Sequence, residues 1–201
     1  RTCWVLKCDI RKFFENINHD ILLVILNGYI PDKSIIWLLE RVVRSFSSAP
    51  GRGLPLGNLT SQLFVNIYMN EFDQFIKHKL KAKYYIRYAD DFVVLSQDRS
   101  WLEELLPKLA DFLSERLKLD IHPDKVFIKT LASGVDFLGW VHFSDHRVLR
   151  TTTKRRMMKK LKDNKQTESL NSYLGLLGHG NANKLQDKIK SPNKGQYLAK
   201  I

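Results

Sequence analysis

The chain has 201 residues, of which 44% are hydrophobic, enough for one substantial core or two small ones. Its 33 Lys and Arg exceed its 21 Asp and Glu by +12, which predicts a polyanionic partner because neutralised phosphates release counterions. No run of about 18 apolar residues occurs, so the sequence predicts no transmembrane helix. Cys3 and Cys8 fall on opposite faces of a predicted strand, so we expect free thiols in a reducing, cytoplasmic compartment.

The first predicted element is a strand over residues 2–9, which the chain enters at Arg1 with no Met and no leader. We therefore expect that sequence preceding this strand is missing. A helix capped by Asn18 follows, and its apolar stripe ends at Gly28. A second amphipathic helix begins at residues 32–34. The apolar faces of both helices predict core packing rather than a functional site.

A loop rich in Ser, Gly and Pro over residues 45–57 leads into a helix that begins near Asn58. Residues 84–96 consist of two β-branched and aromatic runs around an Ala-Asp-Asp tip, which predicts a tight β-hairpin. After the hairpin, Ser100 and Glu103 have capping-box spacing, so we expect Ser100 to open the next helix.

Short strands at residues 119–121 and 126–128 complete a β-α-β-β-α-β order. This order is the ferredoxin-like split arrangement, and the fold class is α+β. Its sheet would bring Asp9, at the end of the first strand, beside the tip of the hairpin. RNA-binding modules without enzyme activity share the arrangement, so the fold alone does not decide the function.

Three carboxylates would meet at this place: Asp9, Asp90 and Asp91. A solvated turn would explain an isolated Asp pair, because Asp hydrogen-bonds its own backbone there. Adjacent aspartates repel each other, however, so stability gives little reason for a third one nearby. Mg²⁺ takes oxygen ligands and leaves positions open for substrate phosphates, and two such ions support phosphoryl transfer. The pattern therefore predicts a divalent metal site.

Two of these segments match known motifs. Tyr88-Ala89-Asp90-Asp91 resembles the Tyr-x-Asp-Asp box of reverse transcriptases, and Cys8-Asp9-Ile10-Arg11-Lys12-Phe13-Phe14 is similar to their first aspartate motif. The family's other motifs follow in order to about residue 143. The resemblance implies an RNA-directed DNA polymerase with a palm over 1–133, a primer-grip hairpin over 134–150 and a basic helical thumb over 151–201. It also implies that the fingers are largely missing, so we expect the chain alone to polymerise poorly.

The resemblance assigns roles around the predicted metals. Asp9 and Asp90 would be the principal ligands of two Mg²⁺ ions, for which Mn²⁺ can substitute, and the carbonyl of Ile10 would add a ligand. Asp91 would be a supporting carboxylate, because neighbouring strand residues point to opposite faces. Lys125 matches the lysine of motif D, which lies near the departing pyrophosphate and can act as a general acid, although by spacing alone it is an ordinary turn lysine.

Two further segments would contact the nucleotide. Phe14 falls where the family places an aromatic ring beneath the sugar, which would exclude a 2′-hydroxyl, although Phe13 or Phe14 must be partly core. In the loop before the Asn58 helix, Leu56 stands where most members of the family have Gln, and Gln62 stands where they have Pro. Gly57 lets the backbone approach the base pair. This variant resembles diversity-generating retroelements, whose enzymes err at template adenines, and the alternative is an ordinary helix start.

The remaining predicted contacts are to primer and template. A hairpin over 135–149, turning at 144–146, contains Phe137-Leu138-Gly139-Trp140, which resembles the Phe-Leu-Gly primer-grip box. Phe137 and Trp140 could equally be core residues. A basic run follows, and its position after the palm favours a nucleic-acid-gripping thumb over a solvated helix face. The run consists of Lys154, Arg155, Arg156, Lys159, Lys160, Lys162 and Lys165.

The expected partners are a template RNA, a primer with its cDNA, and dNTPs, and the family also implies a small basic accessory protein. The expected context is prokaryotic or phage. A group II intron maturase or a retron-type enzyme is the alternative, because both share the other motifs. A catalytically idle RNA-binding protein with the palm fold is a second alternative, which the three intact aspartates disfavour.

Overall fold

The chain divides between residues 129 and 130 into two units. A computed structural model describes residues 2–163 and 167–190. The first unit contains strands β1 (Trp4–Asp9), β2 (Tyr84–Tyr88), β3 (Asp91–Ser96) and most of β4 (Phe127–Thr130). Its helices are α1 (Phe13–Asn16), α2 (His19–Tyr29), α3 (Lys33–Arg44), α4 (Leu59–Gln74) and α5 (Arg99–Leu117). A π-helical turn, Phe75–Lys79, continues α4, and a 3₁₀ turn, Pro123–Lys125, precedes β4.

The four strands form one sheet in the order β2-β3-β1-β4. This is the strand order of a β-α-β-β-α-β ferredoxin-like unit, so the predicted α+β fold is confirmed. Strand β3 pairs antiparallel with both β1 and β2. The register sets Asp9 opposite Asp91 and Cys8 opposite Phe92. The sheet thus joins the two predicted aspartate segments side by side.

The core lies between this sheet and the helices α4 and α5. Leu6, Cys8, Phe92 and Val94 alternate along β1 and β3 and are buried on one face. Helix α5 contributes a leucine every three or four residues, the spacing that puts side chains on one stripe. Those leucines are Leu102, Leu105, Leu109, Leu113 and Leu117. Burial, with a smaller contribution from Asp91, raises the pKa of Cys8 to about 12, which leaves an inert thiol.

Several predicted element ends were wrong. Helix α2 is capped by Asn18 as predicted, but it continues through Gly28 and ends at Tyr29. Asp98, not Ser100, caps α5, since its side chain accepts a hydrogen bond from the backbone of Trp101. Both residue types cap helices well, so local sequence did not distinguish them. The strand predicted at 119–121 is reduced to a single bridge between Ile121 and Ile10.

The second unit contains a three-stranded sheet and three helices. The strands are β5 (Val135–Phe137), β6 (Trp140–His142) and β7 (Arg147–Leu149), and a 3₁₀ turn, Leu131–Ser133, precedes them. The helices are α6 (Thr151–Asp163), α7 (Thr167–Leu177) and α8 (Asn183–Lys190). The segment predicted as one strand over 135–143 is itself a hairpin, because Leu138 and Gly139 both have positive φ.

Helix α6 carries the basic run on its exposed surface, while Met157 packs with Leu177 and Ala182. Among the helices described, none has both the length and the apolarity needed to cross a bilayer. Lys165 and the predicted helix break at Ser191-Pro192 lie outside the described residues, as does the side chain of Lys162. The exposed basic residues of α6 are Lys154, Arg155, Arg156, Lys159 and Lys160.

Candidate active site

Backbone hydrogen bonds hold the end of β1 on both sides. The N–H of Ile10 donates to the carbonyl of Asp90 at 3.0 Å, which ties β1 to the tip of the β2–β3 hairpin. On the other side, the N–H of His122 donates to the carbonyl of Asp9 at 2.7 Å. The backbone that carries Asp9 is therefore held between the hairpin and the segment after α5.

The tip of the hairpin is a two-residue turn formed by Ala89 and Asp90. Tyr88 and Asp91 are paired across it, so β3 begins directly at Asp91. Ala89 has a φ of +52°, in the left-handed region that a residue with a Cβ rarely adopts. The turn brings Asp90 and Asp91 to the edge where Asp9 ends β1.

The pKa values of Asp90 and Asp91 are both raised. Burial raises the pKa of Asp90, and the negative charge of Asp9 raises it further. Burial also raises the pKa of Asp91; Lys7 opposes this shift, and the charges of Asp9 and Asp90 add to it. The structure thus places the three predicted aspartates within electrostatic range, at the sheet edge where they were expected.

Two lysines form ion pairs with these aspartates. Lys125 Nζ lies 2.9 Å from Asp9 Oδ1, which joins the predicted general acid to the predicted metal site. Lys7 Nζ lies 3.1 Å from Asp91 Oδ2 and is largely buried. Lys7 was not predicted as a site residue, although its position two residues before Asp9 puts both side chains on one face of β1.

The oxygen donors fit a hard divalent cation. Among buried side-chain atoms in the described part of the chain, Asp91 Oδ1 alone has no hydrogen-bond partner. Within residues 2–163 and 167–190, no group of three or more His, Cys, Asp or Glu side chains stands ready to hold a metal. Mg²⁺ in phosphoryl-transfer sites needs one or two carboxylates, with waters and substrate phosphates completing its shell. A pair of these aspartates meets that requirement, and the carbonyl of Ile10 stays a prediction.

The two phenylalanines of helix α1 differ in burial. Phe13 is 3% exposed and belongs to the core, whereas Phe14 is only partly buried and packs edge-on against the Phe13 ring at 5.4 Å. The carbonyl of Phe14 accepts a hydrogen bond of 2.8 Å from the N–H of Leu54. The backbone of Phe14 is thereby tied to the loop that leads to Leu56.

A buried histidine holds the same loop. His19 Nε2–H donates to the carbonyl of Gly53 at 2.7 Å, and the N–H of Gly53 donates to Ile17 at 2.9 Å. Gly53 has a φ of +103°, and a Cβ built there would lie 2.3 Å from Ser48 Oγ and 2.8 Å from Ser48 N. His19 was not predicted to have this role, because an isolated His on an apolar helix carries no local signal of its partner.

Gly53→Ala is expected to destabilise the protein by roughly 1–3 kcal/mol, because neither the positive φ nor the contact with Ser48 tolerates a Cβ. The thermal midpoint should fall by about 2–4 °C per kcal/mol. Gly28→Ala is the control: Gly28 lies inside α2 with nothing within 4 Å of a built Cβ, so Ala should stabilise it. Equal midpoints for the two variants would contradict the assignment.

The predicted nucleotide loop is exposed. Leu56 is 75% exposed, and Gly57 has a φ of +88° with open space around it. Gln62 is also exposed, on the first turn of α4. Asn58 is the N-cap residue of α4, so a helix does start here, although its side chain makes no capping hydrogen bond. Two further leucines on this part of α4, Leu59 and Leu63, are exposed as well.

The primer-grip residues divide into buried and exposed. Phe137 and Trp140 are buried, and the guanidinium of Arg147 lies 5.3 Å from the centre of the Trp140 ring. Packing therefore accounts for both aromatic side chains. Leu138 is 48% exposed at the β5–β6 turn with Gly139. Primer contact by this segment stays a prediction, and Leu138 and Gly139 are its exposed residues.

Comparison with protein families matches residues 1–142 to the reverse transcriptase (RNA-dependent DNA polymerase) family. The chain belongs to the reverse transcriptase family. Protein YkfC of Escherichia coli K12 is 25% identical to this reverse transcriptase chain over 185 residues. The group II intron-encoded protein LtrA of Lactococcus lactis subsp. cremoris is 26% identical over 258 residues. These alignments cover 73% and 93% of the chain but only 47% and 40% of the relatives.

Solved telomerase structures share the fold of this reverse transcriptase chain. Apo telomerase from Candida tropicalis superposes with a TM-score of 0.58 at 13% identity, covering 70% of this chain and 30% of the telomerase chain. Telomerase from Candida albicans, in complex with a fragment of telomeric RNA, gives a TM-score of 0.57 at 15% identity, covering 81% and 35%. At these identities the likeness shows the fold, and the predicted palm fold is confirmed.

Proposed function

We propose that the chain supplies the palm (1–133), primer grip (134–150) and thumb (151–201) of an RNA-directed DNA polymerase that adds dNMPs to a primer 3′ end. The observation that carries the proposal is the pairing of Asp9 with Asp91, with Asp90 in the adjoining turn. Two Mg²⁺ ions, or Mn²⁺ in their place, would be held by Asp9 and Asp90, with Asp91 in support. When bound, such ions activate the attacking oxygen and stabilise the leaving one.

The chain's own residues would orient the reactants and move the proton. Lys125, paired with Asp9 at 2.9 Å and half exposed, can donate a proton to the departing pyrophosphate. Phe14 would exclude the 2′-hydroxyl of a ribonucleotide. Primer and template RNA would meet the exposed basic residues of α6, including Lys154, Arg155 and Arg156.

We further propose that this polymerase errs at template adenines, as in diversity-generating retroelements. The exposed Leu56 offers the nascent base pair only apolar contact, and apolar contact discriminates poorly between similar shapes. A template RNA from such an element and a small basic accessory protein would be its partners.

The test of both proposals is primer extension by the full-length protein on a defined RNA template, with the cDNA sequenced. We expect errors concentrated opposite adenines. Leu56→Gln should reduce them about fivefold, since one added hydrogen bond gives about 1 kcal/mol of discrimination. Leu63→Gln is the matched control, because Leu63 is also exposed but lies on α4, beyond the loop that contains Leu56. Equal error spectra for the wild type and Leu56→Gln would contradict the fidelity proposal.

The second candidate function is a faithful reverse transcriptase of the intron-encoded or retron type. The observation that favours it is the similarity to the group II intron-encoded protein LtrA. Accurate cDNA from the wild type would select this candidate and would leave the polymerase proposal standing. No cDNA at all, in Mg²⁺ or Mn²⁺, would select the idle RNA-binding protein.

A further inference from the structure

The guanidinium of Arg87 connects the tip of the β2–β3 hairpin to helix α4. Its Nε and Nη2 donate to the two carboxylate oxygens of Asp73, at 2.8 and 2.6 Å. Its Nη1 donates to the carbonyl of Ala89 at 3.1 Å and lies 3.5 Å from Asn66 Oδ1. One side chain on β2 thus contacts two residues of α4 and the turn that carries Asp90.

Helix α4 presents its two partners of Arg87 on one face. Asn66 and Asp73 are seven residues apart, which is nearly two full turns of an α-helix. The hydroxyl of Tyr85 donates to Asp73 Oδ1 at 2.6 Å, so the carboxylate of Asp73 receives three hydrogen bonds. This arrangement fixes the orientation of the Arg87 guanidinium more tightly than a single ion pair would.

The Arg87 side chain is largely buried and that of Asp73 is partly buried, and fold stability alone is a weak explanation for this ion pair. The Arg87 side chain is 8% exposed. Burial opposes its charge, but the hydrogen bond and the attraction from Asp73 prevail and raise the pKa of Arg87. Buried ion pairs add little net stability, because desolvation offsets the attraction. Aromatic packing of Tyr85 with Phe72 and Phe92 already joins β2 to the core.

The bond to Ala89 acts on the peptide groups that flank Asp90. The carbonyl of Ala89 belongs to the peptide plane before the Asp90 Cα, and the carbonyl of Asp90 belongs to the plane after it. Arg87 holds the first carbonyl, and the N–H of Ile10 holds the second at 3.0 Å. Holding both planes sets the backbone angles of Asp90 and therefore the direction of its Cβ.

We propose that Arg87, oriented by Asp73, is a positioning residue for nucleotide addition that aims the carboxylate of Asp90. Strand β2 lies at the edge of the sheet, so within the described part of the chain β3 is its only strand partner, and Ala89 occupies a disfavoured left-handed conformation. Without the guanidinium, the turn is free to relax, and the carboxylate of Asp90 is no longer held in one orientation. The inference rests on the proposed polymerase activity.

The test is single-nucleotide addition by the full-length protein with Arg87→Lys and Asp73→Asn, normalised to the concentration of active sites. We expect the maximal rate to fall about tenfold in each variant, because small misplacements of a catalytic group are costly. The apparent affinities for dNTP and primer–template should change less than about twofold, since neither residue is proposed to touch them. Combining the two substitutions should lower the rate no further than either alone, since one contact is removed.

Arg44→Lys is the matched control. Arg44 also bonds two carboxylates, those of Asp20 and Glu40, but it is exposed and belongs to the α2–α3 region. Its variant should add nucleotides at the wild-type rate. Unchanged maximal rates in Arg87→Lys and Asp73→Asn would overturn the proposal. So would variants that contain fewer active molecules but whose active molecules add nucleotides at the wild-type rate, or failure of both variants to fold. An inactive wild type would instead refute the polymerase function itself.

Discussion

Asp90→Asn should lower the rate of nucleotide addition by about 10³-fold or more. The same substitution should raise the thermal midpoint of the metal-free protein. The rate should fall because a carboxylate that stabilises developing charge through a metal is worth several kcal/mol. The midpoint should rise because burial and the charge of Asp9 both disfavour ionised Asp90 in the folded state. Single-turnover kinetics and thermal melting at pH 7 measure the two effects.

The sign of the stability effect follows from the raised pKa of Asp90. Above that folded-state pKa the group is ionised in both states, and the folded protein bears the full electrostatic penalty. As the pH falls through the folded pKa towards the ordinary value of 3.8, the group becomes protonated first in the folded state and the penalty disappears. The advantage of Asp90→Asn should therefore be largest near neutral pH and vanish in acid.

Metal titration separates this effect from a nonspecific loss of charge. Mg²⁺ should raise the thermal midpoint of the wild type, since a ligand that binds only the folded state stabilises it. The thermal midpoint of Asp90→Asn should not change when Mg²⁺ is added. Asp111→Asn is the control, because Asp111 is an exposed carboxylate on α5, and its variant should respond to Mg²⁺ like the wild type. If Asp90→Asn kept both its activity and its response to Mg²⁺, Asp90 would not be a ligand of the metal site.

Phe14→Ala should let the enzyme accept ribonucleotides, raising the efficiency of rNTP relative to dNTP incorporation by roughly 100-fold. Phe14 is the partly exposed member of the Phe13–Phe14 pair, and its carbonyl is hydrogen-bonded to the N–H of Leu54 in the predicted nucleotide loop. Removing the ring would open space for a 2′-hydroxyl. Incorporation of matched rNTP and dNTP pairs opposite one template base measures the ratio.

Phe13→Leu is the control for the ring at position 14. Phe13 lies in the core, so this substitution should cost up to about 1.5 kcal/mol of stability and leave sugar discrimination unchanged. Discrimination that stays at the wild-type value in Phe14→Ala, or that changes equally in Phe13→Leu, would show that the ring at position 14 does not contact the sugar.

Local sequence was sufficient for the elements and for the candidate residues. Two β-branched and aromatic runs around an Ala-Asp-Asp tip predicted the hairpin at 84–96, and its strands are β2 and β3. Asn18 caps α2 as predicted, and α3 begins at Lys33, within the predicted start at residues 32–34. The order of these elements predicted the sheet, because β-α-β-β-α-β chains have few compact arrangements. These signals succeed because each depends on residues only a few positions apart.

The sequence predicted that Asp9 lies beside the hairpin tip, but only the tertiary structure decided the exact pairing and the other contacts between distant residues. It paired Asp9 with Asp91, assigned Phe13 to the core and Phe14 to the partly exposed side, and revealed the contacts of Lys7 and Arg87. None of these follows from periodicity, since a strand pattern states which face a residue occupies but not which residue of another strand or helix lies opposite. The sequence by itself therefore determined the family, the elements and the catalytic candidates. Strand register and packing between distant segments determined how those candidates are held.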